Sequence, residues 1–390
     1  MVKILVICQY YSPEPFRIAD ICEALVEKGH EVDVVTSFPN YPMGEIYDGY
    51  KNGEHRDEKI NGVNVHRVFT IGRKTGALYK FLNYYAYSIA STLYVSKLKK
   101  EYDVVFVNQL SPVMMAEAAL KYKRKFGKKV ILYCLDLWPE SLTAGGVSKD
   151  GFIYKVFEKI SARIYKSSDK ILVTSKSFIK HFEGKLGIDE KALKYLPQYA
   201  EDVFKPEPLP EKDTVDLTFA GNIGTAQSVE TIIKAAKAFD KEKVKFHIVG
   251  DGSALEDCKR LVSEKNIENV IFYGRKPVEE MPEFYRISDA MLVTLSDDPL
   301  ISLTLPGKVQ SYMAAGKPII GAINGETVEV VNDAKCGFCA PAEDSEALVE
   351  CIKEFLECDR VELGKNAYEY YNEYFSKTKF INQLCEELKF

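Results

Sequence analysis

Residues Ser302–Val330 read SLTLPGKVQSYMAAGKPIIGAINGETVEV and combine a helix signal with a strand signal. Proline is common in the first turn of a helix and glycine just past its end, so Pro306 and Gly316 predict a short helix. The apolar run Pro318–Ile323 follows and predicts a buried strand. Alternation of helices with buried strands is the pattern of α/β proteins.

The first turn of this helix contains Gly307 and Lys308, where acidic residues would normally complement the helix dipole. A lysine there opposes the dipole unless an anion binds beside it, and Gly307 leaves room for an anion to reach free backbone N–H groups. The pair therefore has two interpretations: a phosphate site or a solvated surface lysine.

Length and composition are those of a soluble globular protein. The 390 residues suffice for two domains, with 46% hydrophobic and 28% charged residues. We find no secretory signal and no apolar run near the roughly 20 residues that span a bilayer. Nine cysteines without a pattern suit a reducing cytoplasm. The single C-x-x-C, Cys336 to Cys339, is weak evidence for a metal or redox site.

Charge is distributed unevenly along the chain, although the net charge is only −5. Residues 1–195 contain 30 basic and 22 acidic residues, whereas residues 196–390 contain 22 basic and 35 acidic ones. The two halves are therefore expected to meet different partners. The acidic second half and the lack of a recognised module argue against nucleic acid as a partner.

The first half alternates strands with helices, as parallel sheets require. The loop Tyr10–Arg17 follows the first strand, at the sheet edge where open α/β sheets bind ligands. It lacks the G-x-G-x-x-G pattern, which disfavours a nicotinamide enzyme. Strands are predicted at Lys3–Cys8, Glu31–Thr36, Val63–Val68, Val104–Asn108, Val130–Leu135 and Lys170–Thr174, and a helix at Ile18–Lys28.

A proline-rich linker, residues 196–213, separates this half from a second one of the same kind. We therefore predict an α/β chain with two Rossmann-like, doubly wound domains facing a central cleft, at residues 1–197 and 198–374. Such a cleft is the default ligand site. The second half has predicted strands at Val215–Ala220, Lys245–Val249, Val270–Tyr273 and Ala290–Leu295, and helices at Val229–Phe239 and Pro282–Ile287.

Four glycine-bearing corners follow strands of the second half. Each corner alone is explained by a tight turn between a strand and a helix. Together they direct backbone N–H groups and the cations Arg275 and Lys308 toward one sheet edge, an arrangement that a nucleoside diphosphate would satisfy. The candidate donor-binding residues in these corners are Gly221, Asn222, Gly224 and Gln227, then Gly250, Asp251 and Gly252, then Arg275, and finally Leu305, Pro306, Gly307 and Lys308.

Several stretches make the chain resemble the family 4 glycosyltransferases of the GT-B fold, particularly the bacterial branch of surface-polysaccharide assembly. In the first half they are Tyr10–Pro15 (YYSPEP), Leu25–Val32 (LVEKGHEV), Phe38–Pro42 (FPNYP) with Gly44, and Asp136–Ser141 (DLWPES). In the second half they are Phe219–Gln227 (FAGNIGTAQ), Val249–Gly252 (VGDG) and Leu305–Pro318 (LPGKVQSYMAAGKP).

The resemblance implies a nucleotide-sugar donor, usually a uridine diphosphate (UDP) sugar, held mainly by the C-terminal domain. It also implies transfer with retention of anomeric configuration, with no cofactor and no essential metal. The N-terminal domain would bind the acceptor, and a C-terminal helix, residues 375–390, would pack back on that domain. A hexosyl or N-acetylhexosaminyl transferase is expected.

Two departures from the family pattern affect individual residues. Many members carry two glutamates eight positions apart before the A-A-G-K-P turn, where this chain has Leu303 and Ser311. Many also use an arginine and a lysine after the first C-terminal strand, where this chain has Asn222 and Gln227. Lys308 remains the candidate for the diphosphate, and loss of activity is the competing interpretation.

Asp136 and Glu140 follow the predicted strand Val130–Leu135 and are the candidate catalytic residues, either of which could accept the acceptor proton. Asp136 is equally explained as a helix N-cap. Trp138 could stack against a bound sugar or pack in the hydrophobic core, and we favour the core. In the Tyr10–Arg17 loop, Pro15 and Arg17 are candidates for binding the acceptor or a phosphate.

Residues 73–100, RKTGALYKFLNYYAYSIASTLYVSKLKK, contain six basic residues, no acidic ones and five tyrosines. A basic, aromatic, amphipathic helix favours an anionic membrane surface. The alternative is a helix that packs its tyrosines into the core. We favour peripheral binding to the inner leaflet, because the family often uses polyprenyl-diphosphate-linked acceptors.

The sequence thus predicts a cytoplasmic, peripherally membrane-bound glycosyltransferase that adds a sugar to a lipid-linked saccharide in capsule, O-antigen or exopolysaccharide assembly. Two alternatives stay open. One is a sugar-nucleotide epimerase of the same fold, which would need acid–base groups in the cleft. The other is a non-catalytic protein that binds nucleotide sugars.

Overall fold

The computed structural model describes residues 1–74 and 76–389. Thr75, in the predicted membrane segment, and Phe390, at the end of the predicted final helix, lie outside the described residues. The chain divides into two compact units. One unit contains Met1–Leu196 together with the tail from Ile381 onward, and the other contains Pro197–Phe380.

The first unit is built on a parallel sheet of order β3-β4-β2-β1-β5-β6-β7-β8, in which only β3 is antiparallel to its neighbour among the described strands. Hydrophobic strands fill its centre because both faces are covered by helices. In chain order the elements are β1 (Lys3–Ile7), α1 (Ile18–Glu27), β2 (Glu31–Ser37), β3 (Asp57–Ile60), β4 (Val63–Val68), α2 (Ala77–Lys97), β5 (Val104–Gln109), α3 (Glu117–Phe126), β6 (Lys129–Cys134), α4 (Phe152–Ser167), β7 (Lys170–Val173), α5 (Lys176–Leu186) and β8 (Leu193–Tyr195).

The second unit contains a parallel sheet of order β11-β10-β9-β12-β13-β14. The winding switches direction between β9 and β12, so the carboxyl ends of these two strands flank the switch point, where α/β sheets bind ligands. The elements are β9 (Val215–Ala220), α6 (Val229–Ala236), β10 (Val244–Val249), α7 (Leu255–Glu264), β11 (Val270–Gly274), α8 (Met281–Ile287), β12 (Ala290–Thr294), α9 (Gly307–Ala314), β13 (Ile319–Ala322), α10 (Glu326–Ala334), β14 (Gly337–Ala340), α11 (Ser345–Leu356) and α12 (Arg360–Tyr370).

Strand β12 shows why the second sheet is doubly wound. Its side chains alternate between two hydrophobic clusters, with Met291 and Val293 in one and Ala290 and Leu292 in the other. Because successive side chains of a strand point to opposite faces, this alternation means that both faces of the sheet are buried. The predicted α/β class with two Rossmann-like units is confirmed.

The stretch Ser302–Val330 folds as predicted, with a helix followed by a buried strand. Pro306 is the N-cap of α9, so the helix itself begins at Gly307. Gly316 follows the helix with φ of +64°, a conformation that glycine adopts without steric cost. The apolar run then forms β13, of which every residue is buried.

Three short strands were not predicted. The residues of β3, DEKI, are polar, and β3 is an antiparallel edge strand. β8 and β14 contain three and four residues, too few to show a period. The helical tail is interrupted at Ser376, between a π-helical turn (Tyr371–Phe375) and α13 (Lys377–Glu387), so the helix predicted at residues 375–390 begins at Lys377.

Candidate active site

The glycine corners of the second unit lie at one edge of its sheet. The amide of Gly221, after β9, donates to the Val249 carbonyl at 2.9 Å, and the amide of Gly250, after β10, donates to the Gly274 carbonyl at 2.9 Å. These bonds join the ends of β9, β10 and β11 side by side. The three corners after β9, β10 and β11 are therefore one continuous backbone surface.

Glycine is required where two corners pack against each other. A Cβ on Gly250 would lie 1.8 Å from the Gly221 oxygen, and one on Gly252 would lie 2.4 Å from the Ile223 oxygen. Gly250 also has φ of +148°, which L-residues rarely adopt. The bare backbone therefore serves the close packing of the corners themselves, in addition to any approach of a ligand.

Asn222 and Gln227 are hydrogen-bonded to each other across the first corner. The Gln227 Oε1 accepts hydrogen bonds from the Asn222 Nδ2 at 2.9 Å and from the Gly224 amide at 3.2 Å. These residues stand where many family members carry an arginine and a lysine. Here they stabilise the loop and bring no charge to it.

Lys308, in the first turn of α9, lies beside the Gly221 corner. Its Nζ is buried and finds no hydrogen-bond partner in the described part of the chain. The Nζ lies 3.8 Å from the centre of the Phe219 ring, and a Cβ on Gly221 would lie 2.9 Å from it. Burial lowers the pKa of the Lys308 ammonium to about 7. The solvated-surface interpretation of this lysine is therefore wrong.

Helix α9 is fixed to the end of β9 by Tyr312. The Tyr312 hydroxyl donates to the Ala220 carbonyl at 3.1 Å and accepts from the Ala220 amide at 3.1 Å, in a fully buried position. This contact holds the start of the helix, and with it Lys308, against the first corner. We did not identify Tyr312 from the sequence, because its role depends on a strand 92 positions away in the chain.

The other predicted donor residues surround this edge. Arg275 directly follows β11 and is exposed, and Asp251 is also exposed. The Asp251 carboxylate accepts from the Gly252 amide at 2.7 Å. Leu305 is buried just before α9, whereas Gly307 is exposed, and a Cβ added to it would have no atom within 4 Å. An anion therefore has open access to the first turn of α9.

Asp136 and Glu140 differ sharply in their surroundings within the first unit. Asp136 accepts a hydrogen bond from the Ser111 hydroxyl, and burial raises the pKa of its carboxyl. Glu140 pairs with the Lys185 ammonium at 2.6 Å and with His181 at 3.2 Å. Burial alone would raise the Glu140 pKa, but these two partners lower it to about 2. Asp136 is thus the better proton acceptor of the two.

The N-cap explanation of Asp136 does not apply, because the following 3₁₀ helix (Glu140–Gly145) has Pro139 at its N-cap. Trp138 is 4% exposed and packs edge-on against Phe157 with ring centres 4.9 Å apart, so it is a core residue. Pro15 is exposed, whereas Arg17 is half-buried and directly precedes α1.

Glu14 is a buried carboxylate that we did not single out from the sequence. It is 3% exposed, and its Oε1 accepts from the amides of Asn40 at 2.8 Å and Tyr41 at 2.7 Å. Burial raises its pKa to about 7, against the effect of these hydrogen bonds. Glu14 thereby joins the loop after β1 to the loop after β2. Its place between two prolines in YYSPEP is the one sequence signal that points to it.

Helix α2 covers most of the predicted membrane segment, and an apolar stripe along it is exposed. The stripe comprises Leu78, Phe81, Leu82, Ile89 and Leu93, with between 36% and 67% of each side chain exposed. The opposite face is buried, with Tyr87 donating to the carbonyls of Cys8 and Val35. None of the helices that the structure describes is long and apolar enough to cross a membrane.

Two family models match nearly the whole chain. The model described as Glycosyltransferase Family 4 matches residues 17–198, and the model described as Glycosyl transferases group 1 matches residues 201–370. The boundary between the matches falls in the proline-rich linker. Each model therefore corresponds to one of the two Rossmann-like halves.

Individual relatives and structures agree with these models. A probable glycosyltransferase, WbjE, of Pseudomonas aeruginosa is 28% identical over 71% of this chain and 73% of its own. A putative colanic acid biosynthesis glycosyl transferase, WcaI, of Escherichia coli is 21% identical over 91% and 92%. The crystal structure of Anabaena Alr3699/HepE in complex with UDP and glucose is similar with a TM-score of 0.71, at 15% identity over 100% and 99% of the two chains.

The matched residues include the glycine corners, the helix of Lys308 and the segment of Asp136, on two units of the expected fold. The chain therefore belongs to the family 4 glycosyltransferases and has the GT-B fold.

Proposed function

We propose that this glycosyltransferase transfers a sugar from a UDP-sugar to a lipid-linked saccharide, with retention of configuration, in the assembly of a surface polysaccharide. The observation that carries the proposal is the buried, unpartnered ammonium of Lys308 beside the Gly221 corner, as far as the structure describes the chain. A cation held without a counter-ion at a backbone corner is suited to a diphosphate. The complex of HepE with UDP supports uridine, and the name of WcaI supports a surface polysaccharide.

In the proposed reaction the bond between the anomeric carbon and the β-phosphate oxygen breaks, and the acceptor oxygen forms its bond on the same face of the sugar. Negative charge grows on the departing diphosphate, where Lys308 and the first-turn amides of α9 stabilise it. The acceptor hydroxyl loses its proton to Asp136, whose raised pKa suits a proton acceptor. The donor residues position the diphosphate and the acceptor residues position the hydroxyl.

A donor and acceptor screen tests this function. Purified protein is incubated with UDP-, GDP- and ADP-sugars, with and without short-chain polyprenyl-diphosphate saccharides, and free nucleotide and lipid-linked product are measured. We expect UDP release that depends on the acceptor and a product one sugar longer. Turnover of a nucleotide sugar without an acceptor would favour the epimerase, and binding without turnover would favour the non-catalytic protein.

The two carboxylates provide a matched pair for the catalytic assignment. Asp136→Asn is expected to lower kcat by about 10²–10⁴-fold while UDP still binds, because general-base catalysis contributes an effect of that size. Glu140→Gln is expected to lower the melting temperature instead, since it removes the carboxylate between Lys185 and His181. Equal loss of kcat in both folded variants would reject Asp136 as the specific proton acceptor.

Our proposal places the enzyme at the cytoplasmic face of the membrane through α2. Its exposed apolar stripe carries Ile89 and Leu93 near its end, and the exposed cations Lys97 and Lys99 follow at the helix end. Apolar side chains at the acyl boundary together with cations at anionic headgroups are the features of an interfacial helix.

Vesicle flotation tests the membrane surface. Wild-type protein should float with vesicles of anionic phospholipid and much less with neutral ones, and the double change Ile89→Glu and Leu93→Glu should abolish flotation. Val361→Glu is the control, because Val361 is an apolar residue of the second unit that is even more exposed, at 76%. Undiminished flotation of the folded double variant would remove α2 as the contact.

A further inference from the structure

Three loops of the first unit are packed together at the carboxyl edge of its sheet. A Cβ on Gly72 would lie 2.6 Å from the Gly44 oxygen, and a Cβ on Gly44 would lie 3.0 Å from the Arg73 oxygen. The loop after β4 is thus pressed against the loop after β2, which Glu14 joins to the loop after β1. Side chains that project from these loops are held in fixed positions.

Arg73 is anchored through its backbone. Its amide donates to the Asn40 Oδ1 at 3.2 Å, and the same oxygen accepts from the Asn83 Nδ2 at 3.2 Å. Asn83, on α2, also donates to the Ile71 carbonyl at 2.6 Å. All of these partners are buried or half-buried, so the direction in which the Arg73 side chain leaves the loop is determined by a polar network.

The Arg73 guanidinium lies against aromatic rings, without an anionic partner. Its central carbon is 5.8 Å from the Tyr41 ring centre and 5.5 Å from the Tyr84 ring centre. Its Nε is buried and donates to no atom in the part of the chain that the structure describes, and no described carboxylate pairs with the guanidinium. Aromatic faces stabilise the cation, but they leave its hydrogen-bonding capacity unused.

Tyr10 supplies a second unused donor in the same place. The residue is 3% exposed, its ring stacks on Phe16 at 4.8 Å, and its hydroxyl has no hydrogen-bond partner among the described residues. The centre of the Tyr41 ring lies 5.8 Å from the centre of the Tyr10 ring and 5.8 Å from the central carbon of the Arg73 guanidinium, so the two groups are neighbours. Burial raises the pKa of the Tyr10 hydroxyl, and the Arg73 charge opposes the rise. Buried polar groups in native proteins are normally hydrogen-bonded, so two unsatisfied donors together indicate a missing acceptor.

The chemistry of that acceptor follows from the donors. A guanidinium and a hydroxyl offer hydrogen bonds and one positive charge, which suits a phosphate oxygen rather than a neutral hydroxyl. Asp136, the candidate proton acceptor, follows β6 at the same carboxyl edge of the sheet, two strands away from β1. Burial raises the pKa of Tyr84, and the charge of Asp136 raises it further. A phosphate bound there would place the attached sugar close to Asp136.

We infer that Arg73 and Tyr10 form an oxyanion subsite that binds the phosphate group of the acceptor, next to the sugar that receives the transfer. The inference rests on the proposed function, since it names the part of the acceptor that the first unit recognises. It adds two residues outside the donor site and gives the lipid-linked diphosphate a role in positioning the reacting hydroxyl.

Calorimetric titration of the full-length protein with farnesyl diphosphate tests the subsite, in saturating UDP so that the donor site is filled. We expect wild-type protein to bind farnesyl diphosphate and not farnesol. Arg73→Met and Tyr10→Phe should each weaken binding by about tenfold or more, the effect of losing one hydrogen bond to a charged group, with UDP affinity unchanged. Arg73→Lys should retain part of the affinity, because it keeps the charge.

Arg56→Met is the matched control, because Arg56 is an exposed arginine of a neighbouring loop whose guanidinium also faces an aromatic ring, that of Phe38. The subsite would be overturned if wild type and folded Arg73→Met bound farnesyl diphosphate with equal affinity. It would also be overturned if the protein bound glucuronate, a sugar with a carboxylate in place of a phosphate, in preference to farnesyl diphosphate. UDP affinity reports separately on the proposed function: failure to bind UDP would overturn the donor assignment, whereas loss of farnesyl diphosphate binding alone would not.

Discussion

Two groups of buried charge lie at opposite ends of the strands in the second unit, and they differ in how the charge is compensated. At the amino ends of β9 and β12, Asp216 accepts from His247 at 2.6 Å and Lys212 bridges the carboxylates of Asp216 and Asp289 at 2.6 and 2.7 Å. Arg360 completes the group with a contact to Asp289 at 3.2 Å. Each charge has at least one opposite partner.

At the carboxyl end of β9, Lys308 has none among the described residues. The pKa values reflect this difference. Burial alone would raise the Asp216 pKa, but His247 and Lys212 lower it to about 2, whereas burial without a partner lowers the Lys308 pKa to about 7. Removing one partner from a group of paired buried charges lowers stability, whereas an unpaired buried charge lowers stability as it stands. We propose that Lys308 is retained because it binds a ligand.

The largest expected effect is the loss of transfer in Lys308→Met. Removing one group that stabilises transition-state charge typically lowers kcat by about 10²–10³-fold. Because no partner is left behind, the melting temperature should stay the same or rise. Enzyme kinetics with the donor found in the screen measure kcat, and thermal denaturation measures the melting temperature. Lys259→Met, a change at an exposed lysine, is the control. If the folded Lys308→Met variant kept wild-type activity, Lys308 would not be the group that stabilises the departing diphosphate.

Asp216→Asn should have the opposite profile. Removing one charged partner from a buried group of charges lowers the free energy of unfolding by about 3 kcal/mol. Here the loss arises because His247 and Lys212 lose the carboxylate that they both contact. UDP affinity should be unchanged well below the melting temperature. Urea denaturation provides the measurement, and Asp257→Asn, in an exposed pair with Arg260, should cost less than about 0.5 kcal/mol. Similar costs for the two variants would show that pairing at Asp216 has no structural value.

Gly307→Ala tests whether the open space at the start of α9 is used by an anion. Nothing lies within 4 Å of a Cβ there, so the fold should be kept or slightly stabilised, since alanine favours helix. We expect UDP affinity to fall about tenfold through hindered approach to the first-turn amides. Calorimetric titration with UDP measures this affinity. Gly184→Ala is the control, because a Cβ added to Gly184 also has no atom within 4 Å. Unchanged affinity would move the diphosphate away from α9.

The smallest effect is a pH dependence of UDP binding. A bound diphosphate should raise the Lys308 pKa from about 7, so that binding takes up a proton and affinity falls about fivefold per pH unit above 7. The free energy of unfolding also depends on pH, because the pKa of Lys308 is lowered from 10.5 to about 7 in the folded protein. The buried ammonium lowers the free energy of unfolding by its full amount below pH 7, and this loss disappears as the pH rises toward 10.5. UDP titrations of wild type and Lys308→Met between about pH 7.5 and 9 measure the pH dependence of UDP affinity, which should be absent in the variant. Equal pH dependence in the two proteins would contradict the prediction.

The sequence predicted that the glycine corners of the second unit gather at one sheet edge, because parallel strands bring their carboxyl ends to one side wherever the chain alternates between strands and helices. That geometry was enough to group Gly221, Gly250 and Lys308 from their positions after predicted strands. It could not show whether the lysine was solvated, because the burial of Nζ depends on Phe219 and on the anchoring of α9 by Tyr312.

The first unit was less predictable from the sequence. Asp136 and Glu140 looked alike as neighbouring carboxylates, and their difference arises from α5, which brings Lys185 to Glu140 across 45 positions of the chain. Arg73 looked like one of six cations in a basic segment. Only the packing of three loops leaves its guanidinium against Tyr41 and Tyr84 with an unused donor.

The sequence by itself determined the alternation of strands and helices, the linker and the glycine corners, because local periodicity and the conformational freedom of glycine act over a few neighbouring residues. Tertiary structure alone decided which charged groups are paired. Compensation of a buried charge depends on groups that are distant in the chain and within a few ångströms in space. In this protein that compensation separates Asp216 and Glu140, which stabilise the fold, from Lys308 and Arg73, which are left with unused capacity for a ligand in the described part of the chain.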